Sequence, residues 1–519
     1  IMERGATRES AKEAISLLAR RILSLYSIIG ALWLSVRAIT VAPLSWAYFA
    51  ALMVLPMLAA CGDTGETADT TGASQTEATT EKQPAVSKKD YQDAEFTAIY
   101  CADTFNPGYF FIEEDERQPG NDMDDKVYER MLNVEEYLGV DIIAENGGNF
   151  QEYTTPLKNA ISAGDDSYQM VMTHVYMEVA NLITSNYLRD FQDFDSLQLE
   201  EDYWNYGLME DLSINDKMYC GYNDFCLANC YMIGFNKDMV AEYSNTIGSL
   251  YDHVRNKTWT LEKLIEFTGL VSRDNGDGKW DDQDTYGFAC HAWVPLVSFQ
   301  HASNIPIVKE NSDGEFYVSP MVDNADKIVK LDEMIYDFMK AESTYTWSPF
   351  DGKPQLNLKS GRVMFEIVNN YSLVSTKEED VKVGVLPYPL WDSNQESYQT
   401  LSWNGVLGIP TTVQDDDMVG DVIEMLAWCS EPVNTAFYET LLGSKVADAP
   451  EDVEMLHLVW AGQVSDMGLV FSSSSSQMDC LLYAIPHHVS VEGKPAYATY
   501  YKQNQKSAER LLNRMFDEK

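Results

Sequence analysis

The residues whose types and spacing could do chemistry fall into three sets. The first is the run from Arg273 to Asp284, which has the spacing of a calcium-binding loop. Asn275, Asp277, the Lys279 carbonyl, Asp281 and Asp284 fall at ligand positions 3, 5, 7, 9 and 12, with Gly278 at the sharp turn. Arg273 stands where the first carboxylate belongs, and Asp284 is shorter than the usual Glu, so either Asp274 substitutes or affinity is poor; a structural calcium and a metal-free acidic turn that keeps the loop's shape are the two readings. The second set is aromatic, amide and carboxylate side chains at expected strand ends and crossovers: His174, Tyr176, Asn223, Asp224, Trp293, Tyr371, Trp403 and Asn404. Flat rings offer apolar faces, while amides and carboxylates hydrogen-bond hydroxyls; together they suit holding a polar small molecule. The third is Cys61, preceded by Leu58-Ala59-Ala60. Catalytic signatures are missing: there is no GxSxG, HExxH, P-loop or GxGxxG. Acidic pairs are too numerous to single out a glycosidase dyad, and His487-His488 reads as a surface feature. No enzyme is expected.

Cys61 closes an uncharged stretch, Ala38 to Ala60, that follows Arg4, Arg8, Lys12, Arg20, Arg21 and Arg37, the charge order of an exported segment. About 20 apolar residues would also serve as a retained membrane helix. Pro56 and the small-small-Cys ending favour cleavage instead. Leu58-Ala59-Ala60-Cys61-Gly62 resembles a bacterial lipobox. That implies removal of a leader at 1–60, a lipid on Cys61 and anchoring at the outer face of the cytoplasmic membrane. The long segment ahead of Arg37 and the opening Ile1-Met2 fit a start codon placed too early.

The chain carries 81 acidic against 37 basic residues, a net charge of −44 that becomes about −47 without the leader. Such a surface repels nucleic acid and anionic membrane, which excludes nucleic-acid binding. With 45% hydrophobic and 12% aromatic residues, the chain can bury large cores. Apart from Cys61 there are seven cysteines, Cys101, Cys220, Cys226, Cys230, Cys290, Cys429 and Cys480, with no zinc spacing. One bridge among Cys220, Cys226 and Cys230, or buried free thiols throughout, both fit this odd count. Residues 61–92 begin with a Thr-, Glu- and Ala-rich run that cannot bury a core and is expected to be a disordered tether.

The elements that must position the second set follow in alternation. Glu95–Tyr100 reads as a strand, Asp125–Leu138 as a helix with Val127, Met131, Val134 and Leu138 on one face, and Gly139–Ile143 as a strand. A helix over Pro156–Ala163 and a strand over Tyr168–Met172 repeat the pattern, which implies a parallel sheet covered by helices. Ligands of such sheets bind beyond the carboxyl ends of strands, which nominates Thr173, His174 and Tyr176. Further helices are expected over Asn324–Met339, Met418–Cys429 and Ala496–Phe516, with Ser402–Pro410 as a Gly-punctuated strand and Ser472–Ser476 as a flexible loop.

Asp216-Lys217-Met218-Tyr219, then the strand ending Phe235-Asn236-Lys237, then Trp259-Thr260 opening a helix with Leu264, resemble the extracellular solute-binding protein family 1 of ABC importers. The Gly usual in the first motif is absent, since Lys217 follows Asp216 directly. Leu358–Phe365 and Lys382–Pro389 resemble later landmarks of the same family. The resemblance implies an α/β, periplasmic-binding-protein-like class II fold: two doubly wound lobes joined by a multi-strand hinge. Lobe 1 would take 93–222 with 385–432, and lobe 2 would take 223–384 with 433–519. It implies a monomer whose interlobe cleft takes an oligosaccharide, with Trp403 and Asn404 in that cleft, and whose closure presents the solute to the membrane permease subunits. A secreted glycan-processing enzyme and a non-transport surface adhesin or sensor are the competing readings.

Overall fold

The computed structural model describes residues 84–516 apart from 85, 102–109, 119, 150–151, 228, 349–350, 376–380 and 443–448. The leader, Cys61 and the tether up to residue 83 lie outside the described residues. Among those described, no helix is long and apolar enough to cross a membrane.

Two separate sheets organise the chain. In the first, Val140–Asn146, Ala94–Tyr100 and Met170–His174 run parallel in that spatial order, and Gly405–Gly408 closes the edge antiparallel to Met170–His174. The crossover helix Asp122–Leu138 forms where expected, burying Val127, Met131, Val134 and Leu138. Its Asn121 side chain accepts from the Met123 N–H, and three aspartates in the first turn complement the helix dipole. Gly139 ends it at φ 61°, a left-handed cap that a side chain would oppose. The helices Asp416–Trp428 and Glu431–Leu442 pack on this same helix.

The second sheet runs Val383–Leu386, Tyr231–Asn236, Val363–Asn369, Thr285–His291, with Thr344–Trp347 beyond. Val363–Asn369, Thr285–His291 and Thr344–Trp347 are parallel, whereas Tyr231–Asn236 runs against both of its neighbours. Val363–Asn369 is buried at every position, as a strand covered on both faces should be. It includes Glu366, whose carboxylate accepts from the Leu358 N–H and which burial pushes up to about 8. Gly287 lets the helix Leu261–Thr268 close onto this sheet, because a Cβ there would sit 1.8 Å from the Thr268 carbonyl oxygen.

Three segments meet between the sheets. Gly221 bridges Leu407, Cys230 bridges Ser402, and Thr400–Leu401 pairs in parallel with Gln463–Val464. At the other end of the first sheet, the segment before Ala94 is strapped down. Lys89 and the Tyr91 hydroxyl both reach the buried Asp421 carboxylate at 2.7 Å, the Tyr91 N–H donates to the Leu138 carbonyl, and Val86 is buried.

Three details depart from the sequence reading. His488 is not on the surface: it is fully buried, its Nδ1 2.8 Å from Asp332. Ser472–Ser476 is not a loop throughout, since Ser472 ends the helix Met467–Ser472 and Ser475 caps the helix Ser476–Leu482, its Oγ accepting from the Met478 N–H. Hydroxyl side chains at a helix start serve this way, which composition alone reads as flexibility. The strand that extends Tyr168–Met172 lies at Met170–His174, carrying His174 into the sheet. Of the two arrangements open to the seven cysteines, free thiols are the one found: six are buried and Cys480 is half-buried.

Candidate functional site

The carboxyl end of Met170–His174 points at the place where the segments cross. His174 uses both ring nitrogens there: Nδ1 accepts from the Tyr176 N–H, and Nε2 lies 3.1 Å from the Trp403 carbonyl oxygen. Since one nitrogen accepts, the other carries the proton, and burial holds the ring neutral by pushing its pKa down to about 4. One imidazole thereby fixes the turn after Met170–His174 to the segment that carries Trp403.

Rings gather around that clamp. Trp403, 6% exposed, forms the floor. Tyr176 lies 5.8 Å from it and Tyr231 6.4 Å, measured between ring centres. Tyr483 stands edge-on to Tyr176 at 6.3 Å, and Trp293 lies 6.2 Å from Tyr483. Tyr176, Tyr231, Tyr483 and Trp293 are each half-buried. The rings come from the first sheet's strand end, the start of a second-sheet strand, the C-terminal helices and the start of the helix Val294–Ala302. The indole Nε1 of Trp403 is buried and hydrogen-bonds to no described group. Asp479 adds a carboxylate that accepts from the Tyr176 hydroxyl at 3.3 Å. A second pair lies at the carboxyl ends of neighbouring second-sheet strands, where His291 meets Trp347 edge-to-face at 4.8 Å.

Of the residues nominated from sequence, His174, Tyr176, Trp293 and Trp403 converge here. Asn404 sits behind Trp403, 1% exposed. Its side-chain amide donates to the Tyr222 hydroxyl, to Ser402 and to Gln463, and its oxygen accepts from the Asn229 N–H. Asn404 thus knits the crossing segments together. Asn223 is buried in the first crossing, its Oδ1 accepting from the Phe225 N–H, and the half-buried Asp224 donates its N–H to the Tyr203 carbonyl. Tyr371 lies on the helix Asn370–Ser375, with its side chain outside the described residues. Tyr231, Tyr483 and Asp479 join the cluster without a sequence nomination; only tertiary folding brings them to it.

The Arg273–Asp284 loop is closed by its own hydrogen bonds. Asp274 accepts from the N–H groups of Gly276, Asp277 and Gly278, and the buried Asp284 accepts from those of Asn275 and Asp281. Arg273 turns out to Glu242, 3.2 Å away. Among the described residues no three acidic, histidine or cysteine side chains group closely enough to hold an ion; Asn275, Asp277, Lys279, Asp281 and Asp284 all lie on this self-bonded loop. An open groove of about 940 Å³ lies elsewhere, between the Ser474–Gln477 turn and the Lys506–Asn513 stretch of the last helix, and it has no aromatic lining.

The sequence matches no family model and no curated protein. Solved structures do match it. A cyclo/maltodextrin-binding protein complexed with maltotetraose aligns with TM-score 0.53 and 12% identity over 83% of this chain and 98% of its own. A sugar transporter from Rhizobium etli in an open conformation gives TM-score 0.53 and 14% identity over 80% and 99%. An ABC substrate-binding protein from Listeria monocytogenes in complex with cycloalternan gives 0.51 and 14% over 82% and 99%. At such identities the likeness carries the fold, which is the periplasmic-binding-protein-like class II architecture of two lobes and a hinge.

Proposed function

We propose that this chain is the solute-binding component of an ABC importer, held outside the cell by a lipid on Cys61, and that it captures an oligosaccharide between its lobes. The observation that carries this reading is the convergence of Tyr176, Tyr231, Trp293, Trp403 and Tyr483 from both sheets and the C-terminal helices onto one spot beside the hinge. Rings with accessible faces cover the apolar faces of sugars, and polar groups set among them orient hydroxyls. Similar folds in complex with maltotetraose and cycloalternan support the cargo class.

On this reading the mechanism is capture by lobe closure, with no bond made or broken. Solute that touches both lobes favours the closed state by the difference in its affinity for the two states. The closed surface is what the permease subunits would recognise. Calorimetric titration of the purified protein with an oligosaccharide panel tests the proposal. Saturable binding without turnover is expected; turnover of a glycan, or binding of peptides but of no sugar at millimolar concentration, would overturn it.

A further inference from the structure

Two features of the aromatic cluster go beyond what a neutral sugar requires. The first is ring geometry. Tyr483 stands at 89° to Tyr176, Tyr231 at 85° to Trp403, Tyr176 at 47° to Trp403, and Trp293 at 57° to Tyr483. Rings meeting at such steep angles turn several faces and edges around Trp403, whereas parallel platforms would stack a sugar ring face to face. The second is charge. The charged group acting on both Tyr176 and Tyr483 is the Asp479 carboxylate, within a protein of net charge −44. An aromatic cluster with a carboxylate beside it is the environment that attracts a cation, since ring faces and carboxylate are both negative toward it. The buried, unpartnered Trp403 Nε1 marks the floor as a place where a ligand acceptor is still to be met.

Building on the binding role above, we infer that the solute carries a positively charged nitrogen, as an amino sugar does. Its ammonium group would lie between Tyr176, Tyr231, Trp293 and Tyr483, beside Asp479, and an oxygen of the same unit would accept from Trp403 Nε1. Negatively charged sugars are repelled by the same groups.

The test is calorimetric titration of the full chain at about pH 6, where an ordinary amine is protonated. Three probes share a length: a glucosamine oligosaccharide, its N-acetylated counterpart and an oligouronate. The glucosamine oligosaccharide is expected to bind about tenfold or more tighter than the acetylated one. That preference should collapse in Asp479→Asn, while tryptophan fluorescence shows the fold intact. Should Asp479→Asn fail to fold, Tyr483→Leu serves as the second variant with the same expected loss of preference. Equal or tighter binding of the acetylated probe or of the uronate overturns the inference while leaving the sugar-binding role standing. Absence of binding by all three, together with absence of binding across a neutral oligosaccharide panel, removes that role and the inference with it.

Discussion

Trp403 shows how a single side chain can be poised for a ligand. Its ring is buried among tyrosines, yet its indole N–H meets no described acceptor, and a donor left so is costly to the free protein. Trp403→Phe keeps most of the ring and deletes that donor. Solute affinity should fall about tenfold while thermal stability stays level or rises slightly, as titration and melting curves would reveal. His174 and His291 make a different statement. Burial holds both near 4, against 6.5 for an exposed imidazole. Above pH 6.5 neither state binds the proton and stability is full. Between 6.5 and 4 the unfolded chain takes up protons that the folded one refuses, so stability declines with acid and levels off near 4. Urea unfolding over a pH series should trace that decline, and His174→Gln should remove its share. His174, Tyr176 and Trp403 were legible in the sequence because they follow a strand or interrupt a Gly-punctuated one. Tyr231 and Tyr483 were not, since one opens an apolar strand and the other follows Cys480-Leu481-Leu482, where an aromatic residue reads as core.

Elements are held by buried carboxylates placed where helices begin. Asp332 on the helix Ala325–Lys340 accepts from His488 and from the N–H groups of Ala496 and Tyr497, which open the last helix. Asp332→Ala strands those donors and should cost about 3–5 kcal/mol in denaturant unfolding, with Asp332→Asn costing less. The acidic loop behaves in the opposite way, since its donors are already matched. Excess calcium after chelation should move the melting temperature by less than about 1 °C, and a larger rise would mean that the loop reorganises around the ion. Periodicity made the helices legible, down to Ile328, Leu331, Ile335 and Phe338 on the buried face of Ala325–Lys340. It is blind to strand direction, so the antiparallel run of Tyr231–Asn236 against Val363–Asn369 lay beyond it. It is equally blind to caps inside a serine run, where one hydroxyl decides between turn and helix.

At the scale of the molecule, alternating strands and helices gave the layered α/β plan, and the motif resemblance gave the division into two lobes. Which side chains gather around Trp403 depended on contacts hundreds of residues apart, as between Tyr176 and Asp479. Saturating solute, at about 100 times its dissociation constant, should raise stability by about 2.7 kcal/mol, and small-angle scattering should report a smaller radius of gyration. An unchanged radius would argue against jaws that close. The strap of Lys89 and Tyr91 on Asp421 bears on how the jaws work under strain. Tension arriving through the chain ahead of residue 84 is taken up by a buried carboxylate on a helix of the first lobe. A pull from that side would thus end at the edge of the first sheet, without passing through the crossing segments to the second.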